Sequence, residues 1–262
     1  MSLNEIAEIT GTTYDTVKWT FQKYGIPRRS RTEALRLKRL KKLPPKVDIE
    51  VDPRSLDYTL GHLCGLILGD GYIYKRGRNK NYFITLVTTS ETLKSVFIDL
   101  VDRLGFKVSI WTRRNRLSRK PVFYCTFSSK RLFSFIDKMK HDPKCLAEWL
   151  ENNSNRMIGF LRGFYEAEGS LYLQRGRYLD LNISNTNVGL IEVVRKLLDK
   201  LGIPHRVYSY HYNSSLKKRG LLKGKPKRIH TIRIFGLAAK RFLDIVRPTI
   251  KNLDGNTHTS KS

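Results

Sequence analysis

Gly61-His62-Leu63-Cys64-Gly65-Leu66-Ile67-Leu68-Gly69-Asp70-Gly71 recurs as Gly159-Phe160-Leu161-Arg162-Gly163-Phe164-Tyr165-Glu166-Ala167-Glu168-Gly169, 98 residues later. Downstream, Leu100-Val101-Asp102-Arg103-Leu104-Gly105-Phe106 returns as Leu197-Leu198-Asp199-Lys200-Leu201-Gly202-Ile203 at offset 97, and Lys130-Arg131 as Lys240-Arg241 at offset 110. Two copies at this spacing predict a fused pair of similar subdomains, not a solenoid. The growing offset places an insertion in the second copy, between about Tyr210 and Ile229. Each copy reads helix, strand, strand, helix, strand, strand, helix. Period-2 segments fall at 72–76, 82–88, 107–113 and 121–127, then at 170–174, 178–184, 204–212 and 228–235. Helical periodicity runs from Ser90 or Thr92 to Leu104, from Asn187 to Leu201, and near 130–139 and 237–246.

The repeated helix carries small residues at i, i+4 and i+8: Gly61, Gly65 and Gly69, then Gly159, Gly163 and Ala167. A helix interior accepts glycine at a cost of about 1 kcal/mol against alanine. Three of them make a flat stripe for close backbone approach, and the second copy supplies the partner helix. Each helix ends in an acid followed by glycine, Asp70-Gly71 and Glu168-Gly169. The glycine suits a left-handed position after the helix. The acid lies at the negative end of the helix dipole. If the helices pack in parallel register, the two acids converge and repel. A divalent cation resolves that conflict, and an all-oxygen site suits Mg2+. A metal so held supplies an activated water and charge neutralisation for phosphodiester hydrolysis.

The chain has 262 residues, with 50 Lys plus Arg against 23 Asp plus Glu, a formal charge of +27. Apolar residues make up 40% and aromatic residues 11%, too much for wholesale disorder. No apolar run approaches the roughly 18 residues of a membrane span, and Met1-Ser2-Leu3-Asn4-Glu5 does not open a secretory signal. Cys64, Cys125 and Cys145 stand far apart without a CxxC pair, and the six histidines do not cluster at ligand spacing. A disulfide framework or zinc module is therefore not expected, and a reducing intracellular setting fits, a prokaryotic cytoplasm rather than an organelle. The implied partner is a polyanion, nucleic acid ahead of a membrane surface.

Residues 1–28 read as two short helices. Ser2 with Glu5 makes one capping box, Gly11 breaks the first helix, and Thr12 or Thr13 caps a second that runs to Tyr24. Ile6, Ile9, Val17 and Phe21 are the expected contact. The pattern resembles a helix-turn-helix with Thr13, Tyr14, Thr16 and Lys18 placed for base contacts; a helical hairpin without DNA contact is the alternative. A basic linker follows at 29–56, densest at 28–46. The subdomains span 57–140 and 155–250, joined by 141–154, and 251–262 reads as a frayed polar tail.

At the repeated motif the sequence resembles the LAGLIDADG homing endonucleases in their single-chain, two-motif form. Leu63 to Gly71 aligns with the name motif and Leu161 to Gly169 is its second copy. The resemblance covers about residues 57–250. It implies an α+β fold of two pseudo-symmetric αββαββα units whose antiparallel, saddle-shaped sheets straddle duplex DNA. It implies a monomer cutting both strands of a long target across the minor groove and leaving short 3′ overhangs. Asp70 and Glu168 would be catalytic and bind the metals, with the backbone carbonyls of Gly69 and Ala167 as further ligands. The cofactor would be two or more Mg2+ ions, with Mn2+ able to substitute. Leu68 departs from the first acid of the name motif, whereas Glu166 keeps it. Gln or Lys soon after the second strand organises solvent in many members; here Thr88 or Thr89 and Asn185 or Thr186 stand there. The sequence does not place the active-site basic residue. An RNA maturase assisting intron splicing, or a non-catalytic DNA-binding regulator, are the alternatives on the same fold. The chain starts at an ordinary Met1 and lacks the terminal nucleophile and His-Asn end of an intein, which favours an intron-encoded or free-standing gene.

Strand alternation points to the same sheet faces independently. Lys107, Ser109, Trp111 and Arg113 oppose Val108 and Ile110; Tyr124 and Thr126, with Val122, oppose Phe123, Cys125 and Phe127. Tyr178, Asp180, Asn182 and Ser184 oppose Leu179, Leu181 and Ile183. By the repeat, Arg206, Tyr208, Tyr210, Thr231 and Arg233 take the polar face of the second copy. Tyr72, Tyr74 and Arg76, and their counterparts Tyr172 and Gln174, complete the expected DNA contacts. An antiparallel sheet can expose one such face, and β-ribbons fit the major groove. Lys217, Lys218, Arg219, Lys223, Lys225, Lys227 and Arg228 of the insertion would lie along phosphates.

Overall fold

The computed structural model describes residues 3–27, 33, 49–77, 81–114, 121–174, 178–212 and 227–251. Ser2, all of the 28–46 basic arm but Glu33, the insertion at 213–226, and 252–262 lie outside the described residues. The chain divides into two compact units after Pro44.

In the first unit, α1 (Leu3–Thr10) and α2 (Tyr14–Lys23) form the expected helical pair. Gly11 and Gly25 end the two helices at φ +63° and +60°. The Thr13 hydroxyl caps α2, accepting from Thr16 N–H (3.3 Å), and the Thr13 and Thr16 hydroxyls meet at 2.9 Å. Ala7 and Val17 are the buried pair. Ile9, expected in that contact, is 72% exposed. It lies two residues beyond Ala7, about 200° around the helix, and so faces away.

The second unit opens with α3 (Leu56–Asp70), capped by Ser55, whose hydroxyl accepts from Tyr58 N–H at 3.2 Å. The chain passes from it into β1 (Gly71–Arg76), β2 (Asn81–Thr88), α4 (Glu91–Arg103), β3 (Ser109–Arg114), β4 (Pro121–Ser128) and α5 (Lys130–His141). The 141–154 connector contains a further helix, α6 (Pro143–Glu151), which buries Leu146, Ala147 and Leu150. Asp142 caps it and Pro143 occupies its first turn, a start signal that sequence inspection can find. The second copy follows as α7 (Ser154–Glu168), β5 (Gly169–Gln174), β6 (Tyr178–Asn185), α8 (Val188–Lys200), β7 (Arg206–Tyr212), β8 (Lys227–Phe235) and α9 (Leu237–Val246). The sheets have orders β1-β2-β4-β3 and β5-β6-β8-β7, with every pairing antiparallel.

The helix pair α3/α7 is the spine. A Cβ on Gly61 would lie 2.2 Å from the Arg156 carbonyl oxygen, and one on Gly163 2.2 Å from that of His62. Gly65 and Gly159 stand in the same relation to Phe160 (2.4 Å) and Tyr58 (2.3 Å). The contacts advance together along both helices, so the register is parallel. Both acids therefore finish at the same end.

The helices cover one face of each sheet through the central strands. Ile84, Leu86, Phe123, Cys125 and Phe127 are buried under the first sheet, and Leu181, Ile183, Ile232 and Ile234 under the second. The outer strand β3 is exposed along its whole length, and Ile110, expected to face inward, is 45% exposed. Val108 precedes the strand and is half-buried. As the edge of the sheet, β3 lies beyond the apolar cover that β2 and β4 receive.

Candidate metal centre and nucleic-acid interface

Each acid sits where a motif helix becomes the first strand of its sheet. Gly71 (φ −97°, ψ 173°) and Gly169 (φ −80°, ψ 162°) are extended, not left-handed as expected. They are glycines for want of space. A Cβ on Gly71 would lie 2.6 Å from Ile67 Cα, and one on Gly169 2.1 Å from the Tyr165 ring. The strand thus leaves the helix directly, without a turn that would carry Asp70 and Glu168 apart.

The Glu168 carboxyl feels the Asp70 charge. Burial, then the Asp70 charge, pushes the Glu168 carboxyl up to about 7, against the opposing Asn185 hydrogen bond and Lys251 charge. Burial also raises the more exposed Asp70, and Lys251 opposes the rise. Asn185 Nδ2 donates to Glu168 Oε1 at 2.6 Å, so one of the two candidates at the end of β6 orients an acid. Its counterpart Thr88 instead accepts from Ser90 N–H (3.0 Å) and serves the turn into α4.

Lys251 is the residue that the sequence did not point to. Its Nζ donates to the Ala167 carbonyl at 2.8 Å. Burial lowers its pKa, while Asp70, Glu168 and Glu166 raise it. The expected frayed tail therefore begins with a fixed residue. Glu166, at the position of the first acid, is buried. It accepts from His62 Nε2 (2.7 Å) and Arg162 Nε (3.2 Å). Burial would lift its carboxyl, but the His62 and Arg162 partners hold it below the usual range, while burial lowers the His62 pKa.

Asp70, Glu168 and the carbonyls of Gly69 and Ala167 lie at one end of the helix pair and could together offer an oxygen-only donor set. No group of three or more His, Cys, Asp or Glu side chains gathers among the described residues. Few carboxylates with carbonyl and solvent oxygens suit a hard divalent ion such as Mg2+. The Ala167 carbonyl already accepts a hydrogen bond from the Lys251 ammonium.

The sheet registers put the expected contact residues on one face in each half. Tyr72 opposes Thr85, Thr126 opposes Ser109, and Tyr124 opposes Trp111. Trp111 and Tyr124 stack at 3.7 Å, and Tyr72, Tyr74 and Phe83 stack in series at 5.6 and 5.1 Å. Arg76 and Arg113 are exposed on this face, and Lys107 is exposed just before β3. In the second half Tyr172, Tyr178, Arg206, Tyr208 and Tyr210 are exposed, with Gln174 and half-buried Asn182 beside them. Tyr172, Asn182, Tyr208 and Tyr210, with Ser170, Ser184 and Ser209, line part of a shallow groove of about 650 Å³. Five expected contacts, Asp180, Arg233, Gln174, Thr231 and Thr126, are already engaged. Asp180 is buried and accepts from Arg233 Nε (2.8 Å) and Gln174 Nε2 (2.6 Å). Thr231 is buried against the Ser184 hydroxyl (2.8 Å), and Thr126 pairs with Thr85 (2.8 Å). Asp180 thus positions Arg233 instead of facing a polyanion. Asp180→Ala is expected to cost about 1–3 kcal/mol, read as a lower urea midpoint. In the N-terminal unit Tyr14 is exposed, Lys18 is half-buried, and the Thr13 and Thr16 hydroxyls are spent on the cap.

The profile of the LAGLIDADG-like domain matches residues 57–139 and again 155–246, more than half of the chain. The chain belongs to this LAGLIDADG-like family. An uncharacterized protein of Methanocaldococcus jannaschii is 30% identical over 183 residues, 69% of this chain and 65% of its own length, just under two thirds. Homing endonuclease I-DmoI of Desulfurococcus mucosus is 29% identical over 182 residues, 65% of this chain and 85% of its own. The crystal structure of I-DmoI in complex with DNA and Mn has a TM-score of 0.51 at 23% identity, covering 78% of this chain and 100% of that one. The N-terminal LAGLIDADG domain of DUF199/WhiA, 17% identical, has a TM-score of 0.52 over 76% of this chain and 86% of that one. The likeness to the solved structures establishes the LAGLIDADG α+β fold of two four-stranded halves. None of these relatives is named for an RNA.

The LAGLIDADG site also carries a pH signature. An unfolded Glu168 titrates near 4.5 and the folded one near 7. Between those values the folded protein holds a proton that the unfolded chain has lost, so metal-free stability falls as pH rises through this window. Glu168→Gln is expected to raise the metal-free melting temperature by roughly 2–4 °C at pH 8 and to leave it unchanged near pH 4.5.

Proposed function

We propose that this LAGLIDADG protein is a sequence-specific DNA endonuclease, making a double-strand break in a long target by divalent-metal-dependent hydrolysis and leaving short 3′ overhangs. The convergence of Asp70 and Glu168 between two aromatic and basic sheet faces carries the reading. A protein that only binds polyanions gains nothing from two carboxylates aimed at its ligand. One chain supplies both acids, so a single copy completes the site, and the substrate places it inside the cell. The name and complexes of I-DmoI support DNA as partner.

Bound Mg2+ or Mn2+ would supply water activation and neutralise charge on the phosphate and leaving oxygen. Asp70 and Glu168 would hold it in their ionised forms, with the Gly69 and Ala167 carbonyls. Asn185 fixes the Glu168 carboxylate. Arg76, Arg113, Arg206 and Arg228 would meet phosphates, while the aromatic and amide groups of the sheet faces read base edges. Affinity should then fall steeply with salt, at about 0.9 log units per log unit of salt for each phosphate neutralised. A slope of about 5 or more is expected, measured by fluorescence anisotropy. The deciding experiment incubates the protein with DNA carrying its host locus, with and without Mg2+. Metal-dependent cutting of both strands supports the proposal. No cutting, with tight binding to the locus DNA or to intron RNA, would favour the regulator or maturase alternative.

A further inference from the structure

Four hydrogen bonds fix the stretch after α9 onto the end of α7. Thr249 N–H donates to Glu166 Oε1 (2.6 Å), and Arg162 reaches the Thr249 hydroxyl. The Tyr165 hydroxyl donates to the Lys251 carbonyl (2.9 Å), and Lys251 Nζ donates to the Ala167 carbonyl (2.8 Å). Tyr165, Glu166 and Ala167, consecutive residues before the second acid, are each used. Lys251 itself is held at φ +58°, a left-handed backbone that a lysine rarely adopts unaided. This strap delivers one ammonium to the end of the helix pair where Asp70 and Glu168 meet.

We propose that Lys251 is a tethered counter-cation of the two-acid centre, and that a divalent ion loads by displacing its ammonium from the Ala167 carbonyl. The inference rests on the metal reading of the site given above. The ammonium hydrogen-bonds one of the oxygens that would ligate the metal. A divalent ion on that oxygen would stand at contact distance from it, and like charges so close in a partly desolvated site repel strongly. In the metal-free protein the same ammonium offsets part of the charge of two carboxylates that would otherwise face each other at two negative helix ends. Glu166 is thereby explained: it leaves the metal to Glu168 and anchors the strap.

The test is a Mn2+ titration without DNA at pH 8, with free Mn2+ followed by electron paramagnetic resonance. Lys251→Met is expected to bind Mn2+ about tenfold or more tightly than the parent, because the competing charge is gone. Its metal-free melting temperature is expected to fall, and saturating Mn2+ to close the gap. Lys251→Arg, which keeps the charge, should stay near the parent. In the parent, Mn2+ should speed amide exchange at 249–251. If Lys251→Met does not fold, Lys251→Gln removes the same charge and is read the same way. Equal or weaker Mn2+ binding by the neutral variants overturns the proposal while leaving the metal centre standing. No Mn2+ binding by parent or variants overturns the metal centre itself.

Discussion

Asp70→Asn or Glu168→Gln is expected to lower cleavage of target DNA by about 10³-fold or more while changing DNA affinity by no more than about threefold. Each substitution removes one of the two side chains aimed at the metal position and leaves the sheet faces, which supply the binding surface, untouched. The amides are close in shape to the acids they replace, and Asn185 can still hydrogen-bond a glutamine oxygen at 168. Stability separates this account from a structural role. Burial raises both carboxyls, and the Asp70 charge raises that of Glu168 further, so each amide should leave the metal-free protein as stable as the parent or more so. The check is cleavage of host-locus DNA, a binding titration and a melting curve on each variant. Loss of folding and binding in both would show that the acids serve the helix pair instead.

The second large effect concerns the helix pair. Gly61→Ala and Gly163→Ala are each expected to destabilise the protein by about 3 kcal/mol or more. In an isolated helix either change would be favourable by about 1 kcal/mol. Here each methyl carbon would fall 2.2 Å from a backbone carbonyl oxygen of the other helix. No rotamer relieves a Cβ, and a carbonyl bonded within its own helix cannot turn aside. The helices must separate, which also moves Asp70 from Glu168. Gly105→Ala is the control. It sits at φ +79°, and a methyl carbon there would meet nothing within 4 Å, so only the left-handed backbone resists it, at about 1 kcal/mol. Urea midpoints should show a loss of free energy about threefold greater for Gly61 and Gly163 than for Gly105. Equal losses at all three would mean that the helices do not approach this closely.

Much of this was legible because the repeat says the same thing twice. The spacing of Gly61, Gly65, Gly159 and Gly163 pointed to close helix approach, and the structure adds the parallel register that brings the acids to one end. The sheet faces followed from period-2 alternation, since a register slip of one residue would turn every apolar side chain outward. What sequence could not show depends on neighbours far along the chain. Ile110 looks like a core residue until β3 proves to be an edge. Asp180 looks like a DNA contact until β8 places Arg233 beside it. Gly71 and Gly169 suit a left-handed turn by composition, and only the packing of Ile67 and Tyr165 shows that space is what they provide. Lys251 is the hardest case. It lies 84 residues from Ala167, in a polar stretch without periodicity, and reaches the centre only through contacts with the end of α7.

Anomalous diffraction from crystals soaked in Mn2+ tests the central claim most directly. The account predicts a manganese peak about 2–2.5 Å from carboxylate oxygens of Asp70 and Glu168 and from the Ala167 carbonyl, with the Lys251 ammonium withdrawn from that oxygen. Manganese bound elsewhere, with both carboxylates unliganded and Lys251 still on the carbonyl, would contradict it.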